Sequence, residues 1–328
     1  MAGRRRKKSG GRSYAWRYRG RIVACVFVEV IIICALVIMI GWNKGVKEWF
    51  EQFEQPVLKE VDISGINSPN AILMQARGGK ILGEINGEAQ IYPASMTKIM
   101  TVILGIENFD DLDEKITLTN EMFSGLYEQD ATQAGFQPGE EVRVIDLLYG
   151  AMLPSGAECC IALADTISGS EADFAELMNK KARKLGMENT HFCDSTGLHN
   201  PDHYSTVKDI AVLMKYCIKN DTFREIVETS RHSTGVTNIH PDGITYYSTM
   251  FKNLSDPTVT GGKILGGKTG YTSEAGHCLV SFAEIEGREY IFVSAGASGA
   301  EGNTIPHIQD AVTVYNRVGA AIEAKMNN

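Results

Sequence analysis

The chain has 328 residues, 44% of them hydrophobic and 22% charged, with a net charge of −8. That balance suits a globular protein able to fill a core and excludes a chain too polar to bury one. The charge is unevenly placed: nine cations and no acid precede residue 22, while everything after Trp42 carries 23 cations against 39 anions, a net of −16.

Residues 22–42 are apolar apart from Glu29. At about 1.5 Å rise per residue such a run spans roughly 30 Å, the hydrocarbon thickness of a bilayer. The basic residues before it belong on the cytoplasmic side. The expected order is a basic cytoplasmic tail (1–21), a transmembrane helix (22–42), a juxtamembrane stalk (43–68) and an extracellular domain (69–328). A cleaved signal peptide is the competing reading, but its apolar core would be about 7–15 residues and end in small residues. This run is longer and ends in Ile40-Gly41-Trp42-Asn43-Lys44, with Trp42 suited to the interface. Membrane orientation accounts for the basic tail, so no nucleic-acid partner is implied.

Along the rest of the chain, 71–75 and 80–85 read as a β-hairpin turning at Gly78-Gly79. A helix is expected from Ser95 to about Asn108. Further helices are expected over 144–153, 158–168, 171–185 (closed by Gly186), 207–219 and 222–229. Strands are expected at 263–272, 278–285 and 290–295, followed by a terminal amphipathic helix over 305–324. Strands at both chain ends with helices between them predict one antiparallel sheet carrying an inserted helical block, an α/β arrangement of the α+β kind. Five of the seven cysteines lie outside the apolar run (Cys159, Cys160, Cys193, Cys217, Cys278). Their odd number and the lack of C-x-x-C spacing favour free thiols over a disulfide framework or a zinc ribbon.

Ser95-Met96-Thr97-Lys98 carries the chemistry. Residues three apart on a helix share a face, which brings the amine within reach of the hydroxyl. A serine at its free pKa is a weak nucleophile and needs such a base. A helix N-terminus beside it favours a developing oxyanion. Lys268-Thr269-Gly270, 170 residues after Lys98 on a strand, adds a cationic site for a substrate carboxylate.

These residues resemble a known family. Ser95-x-x-Lys98, Ser155-Gly156-Ala157 and Lys268-Thr269-Gly270 stand in the order of the serine D-Ala-D-Ala carboxypeptidases, the low-molecular-weight penicillin-binding proteins. The flanks 93–101, 147–156, Thr196-Gly197-Leu198-His199 and 268–272 are similar to that family too, over roughly residues 65–325. The resemblance implies a β-lactamase/transpeptidase-like fold. It implies Ser95 as nucleophile, Lys98 as base and Ser155 as proton relay. Lys268, Thr269, Gly270 and Tyr271 are then implied in substrate binding, with the Ser95 and Tyr271 N–H groups as the oxyanion hole. The implied partners are a peptidoglycan stem peptide ending in D-Ala-D-Ala and acylating β-lactams, with no metal or organic cofactor.

One position departs from the pattern. The family's middle motif is Ser-x-Asn, and Ala157 stands where the Asn belongs. A lost hydrogen bond of that kind costs on the order of 1–3 kcal/mol, enough to slow a reaction but not to remove the nucleophile. Glu158, which follows, reads as a solvated acid at a helix start. Ala157 motivates an alternative, a stem-peptide or penicillin-binding module with weak turnover. A β-lactamase is a further alternative, but no acidic loop is evident to activate a deacylating water. A zinc peptidase is a fourth: His191, His199, His203, His232 and His240 invite it, but no ligand spacing such as H-E-x-x-H occurs, so hydrogen bonding is expected of them.

Overall fold

The computed structural model describes residues 58–254, 256–299 and 305–326. The expected tail, the apolar run and residues 43–57 of the stalk lie outside the described residues. Among the described residues no helix is long and apolar enough to cross a membrane.

Strands β1 (Asn70–Gln75) and β2 (Ile81–Ile85) form the expected hairpin. Its turn holds Gly78 and Gly79 at φ 83° and 71°, a region that glycine enters without strain. A 3₁₀ turn, Ala94–Thr97, leads into α1 (Lys98–Asn108). Next come the short strands β3 (Lys115–Thr117) and β4 (Glu141–Arg143), paired antiparallel. The helical block continues with α2 (Val144–Met152), α3 (Ala157–Ser168), α4 (Glu171–Leu185), α5 (Val207–Cys217) and α6 (Asp221–Glu228). Capping residues explain several boundaries. Ser170 accepts from the Asp173 N–H, Thr206 from the Asp209 N–H, and Gly186 closes α4 at φ 79°.

A second ribbon, β5 (Arg231–Ser233) with β6 (Thr245–Tyr247), precedes the short α7 (Thr249–Asn253). Then β7 (Thr258–Val259), β8 (Gly262–Thr272), β9 (Gly276–Ile285) and β10 (Arg288–Ala297) run into the last helix, α8 (Pro306–Met326).

The main sheet has six antiparallel strands in the order β2-β1-β10-β9-β8-β7. The N-terminal hairpin joins the C-terminal strands through β1 and β10, with Ile72 opposite Val293. This is the predicted sheet with its inserted helical block. Alternation along the strands divides the core in two. Ile72, Ile291 and Val293 face the helical block, together with Ile99, Val102 and Ile103 of α1. Leu73, Tyr290 and Phe292 face α8, where Ile308, Val314, Tyr315 and Val318 cover them. Both faces of the sheet are therefore buried. β7 pairs only with Lys263 and Gly262, so among the described strands β8 is unpaired on its outer side along the stretch holding Lys268.

The stalk expectation needs correcting for residues 58–68. Leu58, Val61 and Ile63 are buried in the α8-side core, and the Val61 N–H donates to Leu82 O at 2.8 Å. Asp310 on α8 holds this segment. Its carboxylate accepts from the backbone N–H groups of Asn67 and Ser68, from the Asn67 side chain and from Ser68 Oγ, at 2.6–2.9 Å. The physical reason is that Val61 and Ile63 supply an apolar edge to the β2 side.

Removing Asp310 orphans buried donors, each costing about 1–3 kcal/mol. Asp310→Ala should therefore destabilise the domain by about 2–3 kcal/mol, read as a lower urea midpoint at unchanged slope; a shift below about 0.5 kcal/mol would contradict this role.

Candidate active site

The 3₁₀ turn and the start of α1 place Ser95 and Lys98 side by side. Ser95 sits in the 3₁₀ turn rather than in the α-helix expected to open there, because Ala94 enters at φ 46° and tightens the chain. Lys98 Nζ lies 3.0 Å from Ser95 Oγ and donates to Thr196 O at 2.7 Å. Ser155 Oγ donates to Ser95 Oγ at 3.0 Å, and Lys268 Nζ donates to Ser155 Oγ at 3.0 Å and to Thr269 O at 2.9 Å. One chain of contacts thus joins Lys98, Ser95, Ser155 and Lys268. Thr269 Oγ1 pairs with Thr249 Oγ1 at 2.7 Å, while Gly270 and Tyr271 border the same cleft. All seven residues singled out in the sequence meet at this one place.

Both lysines are almost wholly buried, at 4% and 1% exposure. Burial pushes the Lys98 pKa below its usual value, a pull only partly offset by Cys160, Asp194 and Glu158. Burial, then the charge of Lys98, pushes Lys268 down as well. With Lys98 neutral, the 3.0 Å contact runs with the Ser95 hydroxyl donating to the amine, which is the geometry of a base and its nucleophile.

The backbone is held tightly here. Ser155 has φ 73°, a left-handed value costly for a residue with a side chain. A Cβ added to Gly197 would come within 1.9 Å of Ala94 O, and one added to Gly270 within 2.9 Å of Ser95 N. Only glycine lets these two segments close on the turn that carries Ser95.

Several contributors escaped the sequence reading. Thr97 Oγ1 bonds His203 Nε2 at 2.9 Å, and His203 Nδ1 lies 3.1 Å from Asp194 Oδ2. Burial would raise the Asp194 pKa, but bonds from His203, Thr196 and the Gly197 N–H hold it at about 2. This chain braces the back of the site, behind the loop whose Thr196 carbonyl receives Lys98. The sequence signal for it lies in the flank Thr196-Gly197-Leu198-His199.

Glu158 corrects another expectation: it is fully buried, not solvated. Its Oε1 accepts from the N–H groups of Ala134 and Gly135 at 2.6 and 2.9 Å, and burial raises its pKa. It anchors the loop holding Ala131 and Thr132, which walls the cleft. Ala157 lines that cleft with a methyl group, and its N–H donates to Thr132 O at 2.8 Å. The histidines serve as hydrogen-bond partners: His232 to Asp146, His240 to Glu140 and His191 to Asp202 O. Cys159, Cys160, Cys217 and Cys278 are free and buried, and Cys193 is free and half-buried.

Two cavities of about 300 and 270 Å³ flank Ser95. Comparison with known proteins adds the family. Residues 57–299 match the model of the family Peptidase_S11, D-alanyl-D-alanine carboxypeptidase. The chain belongs to that family. This D-alanyl-D-alanine carboxypeptidase family member is 35% identical over 231 residues to the carboxypeptidase DacF of Bacillus subtilis, covering 70% of this chain and 57% of DacF. It is 35% identical over 236 residues to a D-alanyl-D-alanine carboxypeptidase of Streptomyces sp. strain K15, covering 70% of this chain and 78% of the relative. The crystal structure of the Streptomyces K15 DD-transpeptidase superposes with a TM-score of 0.68 at 28% identity, over 82% of this chain and 99% of that one. The chain thus has the D,D-peptidase fold, and it spans little more than half the length of the Bacillus relative.

Because displacing reacting groups by about 1 Å can cost on the order of 100-fold in rate, Gly270→Ala should leave the fold intact yet slow reaction with a chromogenic β-lactam at least tenfold, followed by stopped-flow. Wild-type rates would show that the strand does not press on the Ser95 turn.

Proposed function

We propose that this protein is a serine D-Ala-D-Ala carboxypeptidase that removes the terminal D-alanine from peptidoglycan stem peptides. The observation that carries the reading is the buried Lys98–Ser95–Ser155–Lys268 chain, with contacts of 3.0 Å throughout. Family membership supports it.

Ser95 Oγ attacks the carbonyl of the penultimate D-alanine as its proton passes to neutral Lys98. Backbone N–H groups of Ser95 and Tyr271 receive the oxyanion. The C–N bond then breaks. Ser155 hands a proton to the departing amine and recovers one from the lysines beside it, so the site keeps its proton count. Lys268 and Thr269 hold the substrate's C-terminal carboxylate, which makes the enzyme act at chain ends. Water hydrolyses the acyl-enzyme to free acid and restores the Ser95 hydroxyl.

The free outer side of β8 gives an extended peptide a strand to pair with, next to Ser95. Anchoring through residues 22–42, with the domain outside the cell, belongs to the same proposal. It rests on the length of the apolar run and the basic residues before it.

Incubation with a peptide ending in D-Ala-D-Ala should release free D-alanine, and a fluorescent penicillin should label the protein through Ser95. Ser95→Ala should abolish both signals. Peptide binding without D-alanine release, or labelling that survives Ser95→Ala, would overturn the reading.

A further inference from the structure

The smaller cavity beside Ser95, about 270 Å³, holds a feature that the reaction scheme above does not use. Its lining includes Ser155, Thr269 and Tyr271, and also His277 from β9 and His307 from the first turn of α8. The two imidazoles stack with centroids 4.9 Å apart and planes 7° from parallel. Each is 5% exposed. Each also carries a buried ring nitrogen that has no hydrogen-bond partner among the described residues, Nε2 of His277 and Nδ1 of His307. A buried polar atom without a partner is costly, commonly about 1–3 kcal/mol, and such atoms beside a cleft point to a missing ligand.

The surroundings state what kind of ligand. Among the described residues the cavity lining contains two imidazoles, several hydroxyls and no carboxylate, although the chain after residue 42 is strongly acidic. The larger cavity, by contrast, is lined by Asp130 and Glu274. The N-terminus of the 21-residue α8 opens at this wall and brings the positive end of its dipole. Lys268 reaches the same cavity through Ser155.

We propose that His277 and His307 form a proton-linked anion wall that recognises the C-terminal carboxylate of the substrate's last D-alanine. The inference rests on the reading of Ser95 as nucleophile, because the cavity lies on the Ser155 side where the leaving group must sit. As the carboxylate enters, one imidazole takes a proton from solvent and pairs with it. The proton leaves again with the released amino acid. His277 and His307 are thereby specificity residues, and Lys268 and Thr269 share the carboxylate with them.

The charges around the pair fit this role. Asp310, three residues along α8, is the acid beside His307, and its oxygens are already taken by Asn67 and Ser68. Tyr271 packs its ring on His277 at 4.7 Å, and Lys268 stands behind Ser155. Burial, then the neighbouring His277, pulls the His307 pKa down to about 4 against the pull of Asp310. His307 is therefore neutral at working pH when the cavity is free. A bound carboxylate raises the imidazole pKa, so binding takes up a proton between the free value and the raised one. Across that window affinity for the carboxylate falls as pH rises, by up to about tenfold per unit.

The test compares a peptide ending in D-Ala-D-Ala with its C-terminal amide, using the full chain from about pH 4.5 to 8. For the wild type, KM for the acid should rise with pH while KM for the amide stays flat. Calorimetry in buffers of different ionisation enthalpy should show proton uptake with the acid only. His307→Gln should raise KM for the acid about tenfold, remove its pH dependence and leave kcat and the amide within about twofold. His307→Arg should restore preference for the acid without a pH slope. An acid KM unchanged in His307→Gln, or equal pH slopes for acid and amide in the wild type, would overturn the proposal. Should His307→Gln not fold, shown by circular dichroism, the wild-type comparison and His307→Arg decide the matter. If the wild type binds the acid with proton uptake but releases no D-alanine, the anion wall stands and the reading of Ser95 fails.

Discussion

The site depends on a lysine amine kept out of water against a serine hydroxyl. In solvent Lys98 would carry its charge and could accept no proton. Buried at 4% exposure, with Thr196 O as its fixed acceptor, it is pushed toward the neutral form. The fold creates that dryness. The helical block closes over α1 from one side, β8 brings Lys268 and Gly270 from the other, and Gly197 packs against the Ala94 carbonyl. Neither lysine would be tolerated in such a place without hydrogen bonds. Each has two, one of them to a hydroxyl of the reacting group or its neighbour.

The strain around Ser95 belongs to the same arrangement. Ala94 and Ser155 both adopt positive φ without being glycine, at 46° and 73°. Both lie on tight connections whose purpose is to aim a hydroxyl: Ser95 on a 3₁₀ turn, Ser155 between α2 and α3. Surrounding contacts hold them there. The Gly156 N–H donates to Gly150 O, the Ala157 N–H to Thr132 O, and Glu158 pins the loop on the far side. Ala157 removes one polar group from the cleft wall, but the backbone frame around it is intact.

Much of the fold was legible because its signals were local. The hairpin at Gly78-Gly79, the cap at Gly186, and the long C-terminal strands are fixed by short-range chemistry, and each emerged within a few residues of its predicted bounds. The ribbon β3–β4 did not, because three-residue strands such as Lys115–Thr117 are too short to show a period of two. The packing of residues 58–68 is not legible locally, because their partners Leu82 and Asp310 lie elsewhere in the chain. The same distance hid Glu158, whose burial depends on Ala134 and Gly135, and the Thr97–His203–Asp194 chain. His277 and His307 are 30 residues apart in no recognised spacing, and only the packing of α8 on the sheet stacks them. By contrast, Ser95, Lys98, Ser155 and Lys268 stood in three compact motifs, and the structure joins all four.

The account stands or falls with the charge state of Lys98. Selective ¹³C labelling of lysine side chains, with the Lys98 resonance assigned by its loss in Lys98→Arg, allows its titration to be followed by NMR. Titration well below the ordinary lysine value near 10.5, leaving a neutral fraction at working pH, is the expected result. A Lys98 amine that stays protonated up to the ordinary lysine range would contradict its role as the base.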